Sequence, residues 1–486
     1  MTVHPDIKKI ALDPIIAGER IKVSDERTWP TYDAADGQVI AEVPIANQEL
    51  VSDAVEAART ALEGDWKRVL PAERGRMLNR VAAFLRRDRD TIARIESIDS
   101  GKPLREALGD VETSARYFEY YAGIADKLQG DTVPLGPDYV SLTLHEPVGV
   151  TAHIIPWNFP LVTTARGVAP SLAVGATAVV KPAEQTPLTA LLLNDYLTEA
   201  GLPAGVYNVV CGPGDETGQA LVSHPGIAHV TFTGSVQTGQ QVMRSAASHV
   251  ASVTLELGGK SPLVVLPSAD LDAAREGIIK AIFTNSGQVC SAGSRLIVEK
   301  SVASPLLRAL TDSIAAFRFG RGLDDPDLGP IVSAEQLSKI SSMVEAARRS
   351  GVHVLFGGEP KRVDGLEGGW FYSPTLLQAD DPFHPIVQEE VFGPVLTIQI
   401  ADDFDHAIEL ANGTNYGLVA GIYSRDISSA LRFAKAVDAG QVFINQFFAG
   451  GVETPFGGVK MSGFGREKGL EAVRNYCRVK TITARI

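Results

Sequence analysis

The chain has 486 residues, 45% hydrophobic and 21% charged, a globular balance with material for two or three cored domains. Its formal charge of −13 lacks the basic footprint of a protein that binds nucleic acid or an anionic membrane. Three cysteines form no CxxC pair, no stretch reaches the about 18 unbroken apolar residues of a membrane helix, and the first ten residues hold no apolar signal core. These features predict a reduced, cytoplasmic protein, and no His/Cys cluster has metal-ligand spacing.

Apolar residues at spacings of three and four predict helices over 49–66, 72–99 and 104–128, with breaks at Gly101-Lys-Pro103 and Gly130. Alternation in Tyr139-Val-Ser-Leu-Thr-Leu-His145 predicts a strand with one buried face. From Gly149, strands at 150–155, 176–180, 206–210, 229–232 and 252–255 alternate with helices around 161–173, 187–200, 215–223 and 236–248. Such alternation implies right-handed crossovers and a parallel sheet covered on both faces, a nucleotide-binding type of architecture. A second run has strands near 263–266, 296–299, 353–356, 395–400 and 442–445, with helices around 271–283, 303–316, 334–350, 405–411 and 427–437. The fold class is therefore α/β: two packed α/β domains plus an extended segment around 125–147 that belongs to neither core. The strand-like 476–486 can pair with that segment or with another subunit.

Several turns carry one chosen side chain. Pro156-Trp-Asn-Phe-Pro160 presents Asn158, which suits an oxyanion donor or a turn residue bonding its own backbone. Lys181 and Glu184, in Val179-Val-Lys-Pro-Ala-Glu184, sit at a strand's carboxyl end, placed for ribose hydroxyls or simply solvated. Thr231-Phe-Thr-Gly-Ser-Val-Gln-Thr-Gly239 joins a strand to a helix, as a phosphate-accepting turn or a plain Ser-capped one. Glu256, before a glycine pair in Glu256-Leu-Gly-Gly-Lys-Ser-Pro262, fits a general base or a turn cap. Cys290 lies among small and polar residues in Gly287-Gln-Val-Cys-Ser-Ala-Gly293. That setting leaves room for a substrate to approach a nucleophile, although cysteine is also among the most buried residue types. Gln388-Glu-Glu-Val-Phe-Gly-Pro394 and Pro455-Phe-Gly-Gly458 repeat the rigid-turn theme.

Taken together and in this order, over about residues 46–478, these motifs resemble the NAD(P)-dependent aldehyde dehydrogenase family, and the interval from Glu256 to Cys290 is that of the family pattern. The resemblance implies a Rossmann-type cofactor domain over 1–124 and 148–257. It also implies a second α/β catalytic domain over 258–457, and a small β oligomerisation segment from 125–147 and 475–486. It implies Cys290 as nucleophile, Glu256 as general base and Asn158 as oxyanion donor. Cofactor contacts are implied for Ile154, Ile155, Trp157, Lys181, Glu184, Gly214, Gly234, Ser235, Leu257, Glu390 and Phe392. Substrate-pocket positions are Phe159, Thr163, Arg166, Thr284, Phe447, Gly450 and Phe456. Cys211 and Cys477 match no functional position.

The expected reaction is NAD-dependent oxidation of an aldehyde to an acid through a Cys290 thiohemiacetal and thioester, the thioester being hydrolysed by water activated by Glu256. NADP is a less preferred acceptor, since a 2′-phosphate meets a like charge at Glu184. Two alternatives are a CoA-acylating enzyme, disfavoured by Glu256, and a silent relative with a binding role, disfavoured by the intact Cys290, Glu256 and Asn158. A homodimer or homotetramer is implied. One departure stands out: many members carry Trp-Lys where this chain has Arg166-Gly167, although Glu467 still matches a carboxylate near the base. Arg166 occupies the position at which succinate-semialdehyde dehydrogenases hold a substrate carboxylate. Thr284 lacks those enzymes' second arginine, and this ranks an aromatic or bulky aldehyde ahead of a short acidic one.

Overall fold

The computed structural model describes residues 6–23 and 27–486; residues 1–5 and 24–26, part of the cofactor unit expected over 1–124, lie outside it. Among the described residues, eight strands form one sheet, ordered Gly463–Phe464, Ser252–Glu256, Ile227–Thr233, Val150–Ile154, Thr177–Lys181, Tyr207–Val209, Ile15–Ile16, Glu19–Arg20. The five from Ser252–Glu256 to Tyr207–Val209 are parallel, and the edge strands run antiparallel. Both faces are covered. Val180 and Leu172 belong to one apolar cluster, while Ala152, Val179, Val230 and Leu255 belong to a second. This is why these strands read as continuous apolar runs.

The second sheet is ordered His353–Phe356, Thr375–Gln378, Val395–Ala401, Arg295–Glu299, Pro262–Val265, Val419–Tyr423, Gln441–Ile444, parallel except at its first pair. Alternate residues point to opposite faces: Leu263, Val265 and Leu296 join one cluster, Val264, Ile297 and Ile422 the other. The α/β reading of the sequence, Rossmann-type sheet included, describes this architecture.

Four local readings change. The helix expected over 72–99 is two, Pro71–Arg87 and Arg89–Ser100, because Asp88 leaves helical geometry at φ −105°, ψ 19°. The stretch 215–223 opens as a π-helical turn, Gly214–Gly218, before Gln219–Val222. Strands Thr375–Gln378 and Val419–Tyr423, and the hairpin of Thr28–Asp33 with Gln38–Pro44, were not expected. Finally, Tyr139–Pro147 pairs antiparallel with Cys477–Arg485 along its whole length, but only Ser141 is buried in this ribbon. The expected buried face is absent within one chain because no other layer packs on it.

Candidate active site

In the parallel part of the first sheet the chain begins at Val150–Ile154 and moves outward through Thr177–Lys181 and Tyr207–Val209. It returns on the other side through Ile227–Thr233 and Ser252–Glu256. Strand order reverses beside Val150–Ile154, and the carboxyl ends there part to leave a crevice. A cavity of about 550 Å³ occupies that place, walled by Ile154, Phe232, Gly214 and Thr238. Ser235 caps helix Val236–Ala247 by accepting the Thr238 N–H at 3.2 Å, and the helix start beside it offers further N–H groups to an anion. Lys181, buried at its strand end, places Nζ 2.9 Å from Glu184 Oε2.

Across the crevice, Glu390 Oε1 accepts the Gly259 N–H at 2.9 Å. A Cβ on Gly258 would stand 2.3 Å from Glu390 Oε2, so the glycine pair is what admits this carboxylate. Burial pushes its carboxyl up to about 7. Trp157 and Phe392 meet edge to face with centroids 5.1 Å apart. Ile155 and Leu257 are buried, Leu257 closing on Gly239, where a Cβ would come within 2.6 Å of it. Apolar walls, a helix start and the carboxylates of Glu184 and Glu390 fit a dinucleotide.

The Cys290 turn is held in a conformation most side chains avoid. Asn285, Ser286 and Gly287 are all left-handed, with φ of 48°, 53° and 75°. Side chains and backbone anchor them: Asn285 Nδ2 donates to Asn158 O at 3.0 Å, and Ser286 Oγ donates to Gly329 O at 2.8 Å. A Cβ on Gly287 would lie 2.1 Å from Gly393 O, so only glycine fits. Gln288, fully buried, accepts the Val332 N–H at 2.9 Å and fixes the next step. Asn158 Nδ2 donates to Gln288 O at 2.9 Å; an amide has a second N–H, which remains for a ligand. Burial pushes the Cys290 thiol up to about 12, opposed by the Arg166 guanidinium and the Ser291 N–H, with Glu390 and Glu256 adding to the rise.

Glu256 ends its strand almost wholly buried, and neither carboxylate oxygen has a hydrogen-bond partner among the described residues. Burial holds its carboxyl well above the usual range; Glu467 raises it further, while Arg166 and Arg466 pull it down. Arg166 pairs through Nε with Glu467 and donates from Nη2 to Thr233 Oγ1 at 3.2 Å. A cation therefore stands at 166, one residue before the position of the family's lysine. Gly167 has its own reason: a Cβ there would stand 2.6 Å from His153 Nδ1.

A cavity of about 290 Å³ brings Cys290 and Asn158 together with Phe159, Thr163, Arg166, Thr284, Gly450 and Phe456. Phe447 does not line it. That ring lies in the core, 5.0 Å from both Phe443 and Phe448, and Phe448 lines the cavity instead. Arg166 reaches the wall, but its guanidinium is committed to Glu467 rather than free for a substrate carboxylate. Tyr117, on helix Leu104–Ile124, and Lys468 also line the cavity and were not singled out from the sequence. The Gly465-Arg-Glu467 motif directly precedes Lys468 and was the available signal.

A profile of the aldehyde dehydrogenase family matches residues 21–482. The chain belongs to the aldehyde dehydrogenase family. It is 40% identical over 473 residues to an aldehyde dehydrogenase of Aspergillus niger, covering 97% of this chain and 94% of that one. It is 41% identical over 466 residues to retinal dehydrogenase 2 of Homo sapiens, covering 95% and 89%. A crystal structure of Staphylococcus aureus betaine aldehyde dehydrogenase in complex with NAD+ superposes with a TM-score of 0.97 at 36% identity, covering 99% of this chain and 96% of that one. The activity is that of an aldehyde dehydrogenase, the oxidation of an aldehyde with NAD(P) as acceptor.

Proposed function

We propose that Cys290 attacks the aldehyde carbon, Asn158 and the Cys290 backbone N–H hold the resulting oxyanion, and Glu256 activates the water that hydrolyses the thioester. The observation that carries this is a pocket cysteine in electrostatic range of a buried carboxylate that has no hydrogen-bond partner among the described residues. Arg166 favours the thiolate electrostatically, against burial. Once the tetrahedral adduct forms, its oxygen carries charge, and losing one donor to it raises the barrier by about 3–4 kcal/mol. NAD, when bound, supplies the acceptor for the hydride that leaves the former carbonyl carbon. Glu256 then takes a proton from water as the water oxygen bonds to the acyl carbon. The C–S bond breaks, releasing the acid and restoring the Cys290 thiolate.

NAD would rest against Ile154, Ile155, Trp157, Gly214, Gly234, Ser235 and Leu257, with Lys181, Glu184 and Glu390 meeting its hydroxyls and Phe392 packing beside them. The cofactor unit would take 1–124 and 148–257 and the catalytic unit 258–457. The backbone nonetheless returns to the first sheet at Gly463–Phe464, so that unit borrows a late strand. The ribbon of Tyr139–Pro147 and Cys477–Arg485 would join subunits of a homodimer or homotetramer. It leaves Val479 62% and Ile482 45% exposed, and a lone two-stranded ribbon is at best marginally stable. No helix among the described residues is long and apolar enough to cross a membrane, and a reduced cytoplasmic setting suits three unpaired thiols.

Two variants test the division of labour. Cys290→Ala should lower kcat more than about a thousandfold while leaving NAD binding measurable by fluorescence titration. Glu256→Gln should keep a pre-steady-state NADH burst and lose steady-state acid release by about 100- to 10,000-fold. Equal loss of both phases would move Glu256 to the activation of Cys290 instead.

A further inference from the structure

We infer that Lys468 is the anchor for a carboxylate on the substrate, so that the preferred substrates are short aldehydes carrying a carboxylate at the end remote from the carbonyl. This rests on the site assignment above. It replaces the ranking drawn from the sequence, which looked to Arg166.

The argument is an accounting of charge around the cavity. Three acidic or basic side chains line it besides Cys290 and Tyr117: Asp110, Arg166 and Lys468. Asp110 Oδ2 accepts from buried Lys102 Nζ at 2.5 Å. Arg166 is paired with Glu467. The Lys468 ammonium has neither an ion pair nor a hydrogen bond among the described residues; its Nζ lies 5.7 Å from the centre of the Phe456 ring. The carboxylates that act on it from a distance, Glu453 and Glu467, are each ion-paired with another cation, Arg116 and Arg166. A cation left without a counter-ion in a small aromatic-walled cavity favours an anionic ligand, because removing water strengthens the attraction.

The backbone gives a second, independent reason. Lys468 sits at φ 62°, ψ 168°, a region that residues other than glycine almost never occupy. It is fixed there from both sides: Glu467 and Phe456 exchange backbone hydrogen bonds of 2.7 Å each, and the Gly469 N–H donates to Val452 O at 2.8 Å. Glycine would hold this conformation without strain, yet the chain carries a lysine whose side chain lines the cavity. Such strain is kept where a site needs that side chain in place.

One ammonium and a cavity of about 290 Å³ match a monoanion on a short body better than a phosphate dianion, which calls for several donors. Tyr117, Phe159, Phe448 and Phe456 supply the apolar wall for that body.

The test is a pair of aldehydes of equal length, one ending in a carboxylate and the other in its methyl ester, assayed on wild type, Lys468→Met, Lys468→Arg and Lys468→Gly. Wild type should favour the carboxylate, and Lys468→Met should lower its kcat/KM relative to the ester by about 10- to 100-fold, mainly through KM. Lys468→Arg should restore most of the ratio. Lys468→Gly, which relieves the backbone, should lose the ratio without a fall in Tm, separating a lost anchor from a damaged fold. An unchanged ratio in both Met and Gly variants, or a wild type preferring the ester, overturns the inference while leaving the dehydrogenase reading intact. If neither aldehyde is oxidised but Cys290 is also unreactive toward other aldehydes, it is the dehydrogenase reading that fails.

Discussion

Two buried clusters each set one cation against two carboxylates, and they do opposite things. In the first, Lys102 Nζ lies 2.5 Å from Asp110 Oδ2 and 3.5 Å from Glu96 Oε1. Glu96 Oε2 also accepts the Thr189 hydroxyl at 2.8 Å, and Oε1 the Leu161 N–H at 3.5 Å. Every charge has a partner, although Asp110 forms part of the cavity wall. In the second, Arg166 pairs with Glu467 and leaves Glu256 with no hydrogen bond. The same inventory is closed in one place and open in the other. A saturated cluster fixes helices Arg89–Ser100 and Leu104–Ile124 against each other, while a buried carboxylate without a hydrogen bond is left open to take a proton.

Removing the cations sharpens that contrast. Lys102→Met and Arg166→Met should each cost about 3–5 kcal/mol in unfolding free energy, because each strands buried carboxylates. Denaturant unfolding of the two variants checks this; a loss under about 1 kcal/mol in either would mean that its carboxylates simply take up protons.

The second effect is smaller and belongs to one cluster alone. As the proposed general base, Glu256 would have to be ionised to accept a proton from water, and burial together with Glu467 holds its carboxyl well above the usual range. Steady-state turnover should therefore rise with pH along a limb lying above the usual carboxylate values, and that limb should vanish in Glu256→Gln. The Arg166 guanidinium stabilises the charged form, so Arg166→Met should move the limb to higher pH. Arg166→Lys should restore most of it. Lys102→Met should leave the limb in place, and a shift there would join the two clusters into one network.

How much of this the sequence disclosed follows from which interactions are local. The strand–helix alternation over 150–256 was plain because each element's apolar pattern is contained within itself. Strand Val419–Tyr423 was missed because Gly421 interrupts it, and the glycine is there for a distant partner: a Cβ would come 2.9 Å from the Phe447 ring. The break at Asp88 was hidden by an amphipathic pattern that runs across it. The motifs around Cys290, Glu256 and Asn158 were legible because each is short and local. The partner that Arg166 takes was not, since Glu467 is brought to it by the return of the chain to the first sheet. The Gly465-Arg-Glu467 motif marks the neighbourhood of Lys468 but not its charge environment, for a similar reason. A lone lysine after a glutamate looks like a solvated surface pair until the other cations near it are seen to be engaged.

The smallest expected effect concerns a third charged pair, Lys181 with Glu184, at the edge of the cofactor cavity. Here the lysine side chain is 3% exposed and the glutamate 22%, with Nζ and Oε2 2.9 Å apart. This pair is neither closed like the Lys102 cluster nor unsatisfied like Glu256: one oxygen is held and the other faces water. A ribose diol can donate to that carboxylate, whereas a 2′-phosphate brings a like charge against it, partly offset by Lys181. Because solvent screens a partly exposed charge, the preference should be modest, about tenfold in kcat/KM for NAD over NADP, or about 1.4 kcal/mol. Glu184→Gln removes the like charge and releases Lys181 toward the phosphate, so the ratio should fall toward unity, mostly through a lower KM for NADP. If the variant keeps the wild-type ratio, discrimination lies elsewhere in the crevice, and the Lys181–Glu184 pair is an ordinary solvated contact at the end of its strand.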